Sequence, residues 1–283
     1  MLKITHNGGF FSCCSVKLHD ITRYFNKNKM LPDIVDGSEQ FELYKKDSTE
    51  WRTTTNHEGR EYSVVLKKAE VIQDITFDYF QEYNTVNETI VYEKDIDYEG
   101  LYQFENYKRL DYKAICPFVR KYFSPSNEIK SIIEAMETKY NLQDYSNLCV
   151  LFYRGNDKVT EAVVSNYTDT IEKAKEVLSQ NPSIQFLIQS DETEFIETML
   201  REFPSNSFYF KEEARHIRRQ LSSVDYKFRE SNYIFSKFFL AITIIMSKCK
   251  YVVCGGSGNC SIWIMLYREN ANNVYQFMNT HWV

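Results

Sequence analysis

The sequence predicts an α/β protein built as two Rossmann-like halves that face each other across a cleft. Three observations predict it. The chain opens with a short strand, an Asn7-Gly8-Gly9 turn and a helix. In its second half, Leu148 to Tyr153 is an apolar run of the length of a fully buried parallel strand, and it breaks into the charged turn Arg154-Gly155-Asn156-Asp157-Lys158. Further on, the strand Tyr251 to Cys254 runs into Gly255-Gly256-Ser257-Gly258-Asn259 and then a helix. In an open α/β sheet, ligands sit beyond the carboxyl ends of the strands, so each of these turns is delivered to the ligand edge.

In chain order, Leu2 to Thr5 reads as the opening strand, and Val16, Leu18, Ile21, Tyr24 and Phe25 mark the first helix. Glycines at that turn allow close approach of a ligand to the backbone, and the helix start offers free N–H groups. Leu31 to Val35 predicts a second strand, turned by Asp36-Gly37. Asp47 to Arg60 reads as a polar loop, Tyr62 to Leu66 as strand-like, and the Tyr-rich stretch 77–112 carries no clear period. Ile115 to Ser126 leads into a helix over Asn127 to Tyr140, capped by Ser126 or Asn127, with Ile129, Ile132, Ile133 and Met136 on one face. The boundary between halves falls in Leu142 to Asn147, dividing 1–145 from 146–283.

The second half alternates strand and helix. The expected helices are Thr168 to Leu178, Thr193 to Glu202, Tyr233 to Lys248 and Ser261 to Arg268; Ile184 to Gln189 is a strand that ends in Ser190-Asp191-Glu192. Asp191 is expected to cap the helix after it, bind a ligand, or do both. Ser207 to Phe210 is a short strand, and Tyr275 to Val283 a last strand or tail. Lys211 to Arg229, with Arg215, His216, Arg218 and Arg219, reads as a solvated face or a loop near an anionic ligand.

Composition narrows the function classes. A net charge of -5 over 283 residues gives no global pull toward nucleic acid or anionic membranes. The seven cysteines, an odd number, several of them in apolar runs, are expected to be reduced thiols. No Cys-x-x-Cys or His-x-x-x-His pair predicts a metal site. The polar start and the interrupted apolar run Phe235 to Met246 predict neither a signal peptide nor a membrane span, which points to the cytoplasm.

Strand, Arg154-x-x-Asp157-Lys158 and Glu161 together resemble the first signature of the α-1,6- and O-fucosyltransferase superfamily, which includes the nodulation fucosyltransferases. Ser190-Asp191 is similar to its second signature, and the Gly255 to Asn259 turn to its third, in the same order. The resemblance covers Leu148 to Tyr267, and faintly Leu2 to Ile21. It implies a GT-B-like fold with an acceptor-side domain at 1–145 and a nucleotide-sugar-binding domain at 146–283. It further implies an inverting, metal-independent transfer of fucose from GDP-fucose to a glycan hydroxyl.

Carried over residue by residue, the resemblance makes Arg154 the grip on the donor diphosphate and Glu161 the general base. Lys158, Asp191, Gly256, Ser257, Gly258 and Asn259 become donor-side residues, and Asn7, Gly8 and Gly9 an acceptor-side loop. No cofactor beyond the donor is implied. Three departures stand out: Phe152 takes the place of the family's histidine, Gly155 that of its second arginine, and Tyr233 to Ser247 has no Asp or Glu to hold guanine. A transferase using another nucleotide sugar therefore stays open, as does a non-catalytic nucleotide- or glycan-binding protein on a degenerate fold of this type.

Overall fold

The computed structural model describes residues 1–46, 49–55, 61–67, 73–99, 102–255 and 258–283, with 49–55 and 61–67 described as backbone alone. It is a mixed α/β structure dominated by a parallel sheet. Strand β1 (Leu2–His6) leads through the glycine turn into α1 (Phe10–Asn28) and returns as β2 (Val35–Gln40), which pairs with β1 in parallel. The predicted second strand thus starts where it was expected to end. Asp36 does not turn the chain: it accepts from Ser38 N within the strand, while Gly37 N donates to Asp74 Oδ2 at 2.8 Å.

The expected polar loop is instead one arm of an antiparallel hairpin, β3 (Thr49–Thr55) against β4 (Glu61–Lys67). Its Thr-rich sequence suits a strand without carrying an apolar alternation. Helix α2 (Thr76–Tyr79) is one turn, and short 3-10 turns punctuate the Tyr-rich stretch. The lead-in at Ile115 proves to be a helix, α3 (Tyr112–Phe123). Asp111 caps it by accepting from Ala114 N, which holds a helix that Pro117 alone would argue against. Helix α4 (Asn127–Lys139) follows with Ser126 as its N-cap.

The second half holds a six-stranded sheet. Its elements are β5 (Leu148–Tyr153), α5 (Tyr167–Gln180), β6 (Gln185–Ser190), α6 (Thr193–Glu202), β7 (Ser207–Phe208), α7 (Val224–Lys227), α8 (Asn232–Lys248), β8 (Tyr251–Gly255), α9 (Asn259–Arg268), β9 (Val274–Met278) and β10 (His281–Trp282). The order is β10-β9-β8-β5-β6-β7, all parallel except β10. The chain leaves β5 toward β6 and β7, then crosses to the other side of β5 with β8. The switch point therefore lies between β5 and β8, and a crevice opens there beyond their carboxyl ends.

All six β5 residues are buried, as the center of a covered parallel sheet requires. Helix α8 is apolar on nearly every face and packs against α4 and α9. One apolar cluster includes residues from both ends of the chain, among them Phe10, Phe11, Phe123, Ile245 and Trp263. Trp263 is fully buried, 4.7 Å from the Phe123 ring and stacked on Phe11, and its Nε1 donates to Ser15 Oγ at 3.0 Å. That contact fixes α9, whose first turn faces the crevice, against α1, whose first turn faces it from the other side. Among the described residues, no helix is long and apolar enough to cross a membrane.

Candidate functional site

The register of β5 and β6 decides where the charges go. Tyr153 pairs with Ser190, so the next residues, Arg154 and Asp191, emerge side by side. Arg154 Nε donates to Asp191 Oδ2 at 3.0 Å, and Gly155 N donates to Asp191 Oδ1 at 3.0 Å. Arg154 Nη2 donates to Asp157 Oδ1 at 3.2 Å. Among the described residues Nη1 makes no such bond, which leaves one face of the guanidinium for a ligand. Burial alone would lower the Arg154 pKa; Asp191, Asp157 and Asp225 outweigh it and raise the value. The Asp157 pKa is raised as well: burial raises it, and Arg154 offsets this only in part.

Asp191 is 5% exposed and spent on this turn. It does not cap α6, whose N-cap is Glu192. The turn itself is braced by Asn156, held at φ 37° in the left-handed region that asparagine tolerates. Asn156 Nδ2 donates to Asp191 O at 2.7 Å, and Asn156 N to Glu192 Oε2 at 3.2 Å. Gly155 is required by crowding: a Cβ there would run into the Glu192 carboxylate and meet Tyr153 Cε1 at 2.8 Å. Glu192 in turn accepts from Tyr167 and from Arg219 Nε and Nη2, the latter two at 3.0 and 2.7 Å.

Past this brace, a 3-10 turn (Asn156–Thr160) carries Lys158 and brings Glu161 into the same opening. Lys158 Nζ donates to Glu161 Oε2 at 2.6 Å, with the lysine nearly buried and the glutamate side chain 53% exposed. From β8, the Gly256 and Ser257 predicted to hold the donor lie outside the described residues. Gly258 and Asn259 are placed beside Arg154: a Cβ at Gly258 would stand 4.0 Å from Arg154 Cγ. Asn259 Oδ1 is buried with no hydrogen-bond partner among the described residues.

These groups line one open cleft of about 370 Å³ together with Asn7, Gly8, Gly9 and Ser12 from the β1–α1 turn. Asn7, Gly8 and Gly9 thus share a cavity with Arg154, Lys158, Gly258 and Asn259. Ser12 lines this cleft, and its Oγ lies 2.9 Å from Nε2 of His6, which does not line it.

The Lys211 to Arg229 stretch is no solvated helix face. Apart from the single turn α7 it is irregular, and it folds over the crevice. Arg215 is buried, donating to Asn232 Oδ1 at 2.6 Å and to Asp225 Oδ1 at 2.8 Å, and its guanidinium lies over the Phe235 ring. Asp225 also accepts from Tyr44 Oη at 3.0 Å, and Tyr44 Oη accepts from Phe10 N at 2.7 Å. Asp225 lines the cleft and was not foreseen, because its partner Tyr44 is 181 residues away in sequence. A second, narrow pocket of about 40 Å³ lies on the other side of Arg154. Phe152, Phe235, Phe239 and Ile242 form its apolar walls, and Gln189 brings in a buried Oε1 that lacks a partner among the described residues. Also among the described residues, no group of three His, Cys, Asp or Glu side chains is disposed to hold a metal ion.

No family model matches the sequence, and no curated protein matches it. The solved structures it is similar to include fucosyltransferases. The NodZ fucosyltransferase from Bradyrhizobium superposes with a TM-score of 0.39 at 11% identity, over 60% of this chain and 51% of that one. POFUT1 in its apo form gives 0.38 at 10% identity, over 55% and 47%. Arabidopsis thaliana FUT1 gives 0.37 at 9% identity, over 61% and 38%. The chain spans about half the length of the NodZ structures it matches. At this level the likeness concerns the course of the chain and says nothing of its chemistry.

Proposed function

We propose that this chain is a glycosyltransferase of GT-B-like build, with 1–145 on the acceptor side and 146–283 on the donor side. The proposed reaction moves fucose from GDP-fucose to a glycan hydroxyl, with inversion and without a metal. The observation that carries the reading is the shared cleft: Arg154, Lys158, Gly258 and Asn259 come from two strand ends at the switch point and meet Asn7-Gly8-Gly9 in one cavity.

In the proposed step, the acceptor oxygen attacks the anomeric carbon and the bond to the diphosphate breaks, its electron pair leaving with the phosphate. Arg154 Nη1 and Lys158 Nζ neutralize the charge that develops there; removing one donor of this kind costs on the order of 10²-fold in kcat. Backbone N–H groups at the start of α9 add to the grip. The cleft holds two routes for the acceptor's proton: Glu161, as the sequence reading expects, and His6 through Ser12.

A binding protein without transfer is the second reading, and Phe152 favors it. The pocket that Phe152 lines measures about 40 Å³, well short of the roughly 150 Å³ of an apolar cavity that binds benzene. A base enters there only if the Phe235 or Ile242 side chains move, with the Gln189 amide as its polar contact.

The test is a thermal-shift screen against GDP, UDP and their sugars, followed by assay of nucleotide release. Stabilization by GDP-fucose with release of GDP supports the transferase. Stabilization without release supports binding alone, and no response to any nucleotide contradicts both.

A further inference from the structure

We propose that the Ser12–His6 pair, rather than Glu161, takes the proton from the acceptor hydroxyl; this rests on the transferase reading above. Ser12 lines the cleft that holds Arg154 and Lys158, and its Oγ sits 2.9 Å from His6 Nε2. Glu161 is mostly exposed, and one of its carboxylate oxygens is engaged by Lys158 at 2.6 Å. A base that faces water and is held by a lysine is worse placed than a hydroxyl in the wall with an imidazole behind it.

The geometry of the pair is built in. The β1–α1 turn places His6 at the end of the strand and Ser12 in the first turn of the helix, and both are half-buried. Gly8 lies between them: a Cβ there would stand 2.9 Å from His6 Nε2 and 3.3 Å from Ser12 Oγ. The glycine therefore serves the pair's close approach as well as the bend. Cys13 Sγ donates to the His6 carbonyl and anchors the strand end.

The groups acting on His6 are few. Burial lowers its pKa and Asp20 of α1 partly offsets this. On the β2 side the residue opposite is the uncharged Gln40. His6 Nδ1 has no hydrogen-bond partner among the described residues. A neutral imidazole protonated on Nδ1 leaves Nε2 free to accept from Ser12.

The step balances as follows. The acceptor O–H bond breaks as its oxygen bonds the anomeric carbon; that proton passes to Ser12 Oγ while the Ser12 hydroxyl proton passes to His6 Nε2. The products are a glycoside, a nucleoside diphosphate and an imidazolium, which then releases its proton to solvent. Ser12 is the group that touches the acceptor, and His6 acts through it.

The experiment pairs turnover with NMR. With GDP-fucose as donor and water as acceptor, kcat and KM for GDP release are measured from pH 5 to 9 for the unmodified chain, His6→Gln, Ser12→Ala, Ser12→Thr and Glu161→Gln. In the unmodified chain, the acid limb of kcat should follow the His6 imidazole, below the ordinary value of 6.5. His6→Gln and Ser12→Ala should lose on the order of 10²-fold in kcat with KM little changed. His6→Gln should also lose the acid limb, while Ser12→Thr and Glu161→Gln keep it.

Imidazole ¹⁵N shifts should show an Nδ1-protonated His6 whose titration moves in Ser12→Ala, and unchanged GDP affinity in the variants shows they are folded. Full kcat in His6→Gln and Ser12→Ala, or an acid limb that Glu161→Gln removes and His6→Gln keeps, overturns the pair while leaving the transferase standing. Binding of GDP-fucose without GDP release by the unmodified chain overturns the transferase, and the pair's catalytic role with it.

Discussion

Arg154 Nε lies 3.0 Å from Asp191 Oδ2, across the ends of two neighboring parallel strands. This bond orients a guanidinium at the switch point of the sheet. Two of its nitrogens are committed to Asp191 and Asp157, so its direction is set before any ligand arrives. A preset donor loses less on binding than a mobile one. The same bond makes Arg154 a structural residue, and that shapes the first prediction.

Arg154→Lys keeps the charge and cannot reproduce the fork. Asp191, 5% exposed, loses the hydrogen bond from Nε. The expected cost is about 2 kcal/mol in urea unfolding, with diphosphate affinity reduced but present. A midpoint equal to that of the unmodified chain would show the Asp191 bond to be dispensable.

Gly155→Ala should destabilize by about 1–3 kcal/mol, because the new methyl meets a carboxylate held in place by an arginine. Differential scanning calorimetry reads this as a lower Tm. Glu192→Gln, a smaller perturbation at the same contact, should not relieve it. An unchanged Tm would mean that the turn is looser than its hydrogen bonds imply.

Arg219→Ala strips two N–H donors from Glu192, which is 1% exposed. Because Arg219 is itself mostly exposed and Glu192 keeps the Tyr167 and Asn156 donors, the loss should cost about 1–2 kcal/mol. Combined with Glu192→Gln, the loss should be less than additive. Additivity in that cycle would show that the two side chains do not act on each other.

How much of this was legible in the sequence follows from what each element needs. The second-half strands and helices were readable because each carries its own period and its own stop: Leu148 to Tyr153 is apolar throughout, and Thr193 to Glu202 is marked at both ends. The hairpin arm Thr49–Thr55 was missed because a Thr-rich strand looks like a loop when its partner is not known. The α3 helix was hidden by Pro117, since its Asp111 cap is a local signal that a proline outweighs on paper. Arg154, Lys158, Gly258 and Asn259 follow strand ends, where the sequence expects the ligand edge, and they line one cleft with Glu161, which the resemblance alone singled out. Asp225 and the His6–Ser12 pair were not legible, because the first depends on a tyrosine far away in sequence and the second on one rotamer of a short turn.

Acid should weaken the fold in part through Glu213. Burial would raise its pKa, but hydrogen bonds from Lys139 and Tyr140 outweigh that and lower it. A carboxyl depressed in the folded state adds stability above its ordinary value of 4.5, and this is lost as pH falls through the folded-state value. Urea midpoints measured from pH 7 down to pH 3 should therefore fall more steeply for the unmodified chain than for Glu213→Gln. Parallel curves would remove Glu213 from the account.

The central claim is that the Arg154 guanidinium holds the diphosphate of a nucleotide in the cleft between β5, β8 and the β1–α1 turn. Isothermal titration calorimetry of GDP and UDP against the unmodified chain and Arg154→Ala, with folding of both checked by circular dichroism, tests it most directly. The account predicts binding that weakens with added salt and is lost in the variant. Equal affinity in the two proteins, or no binding of either nucleotide to the unmodified chain, would contradict it.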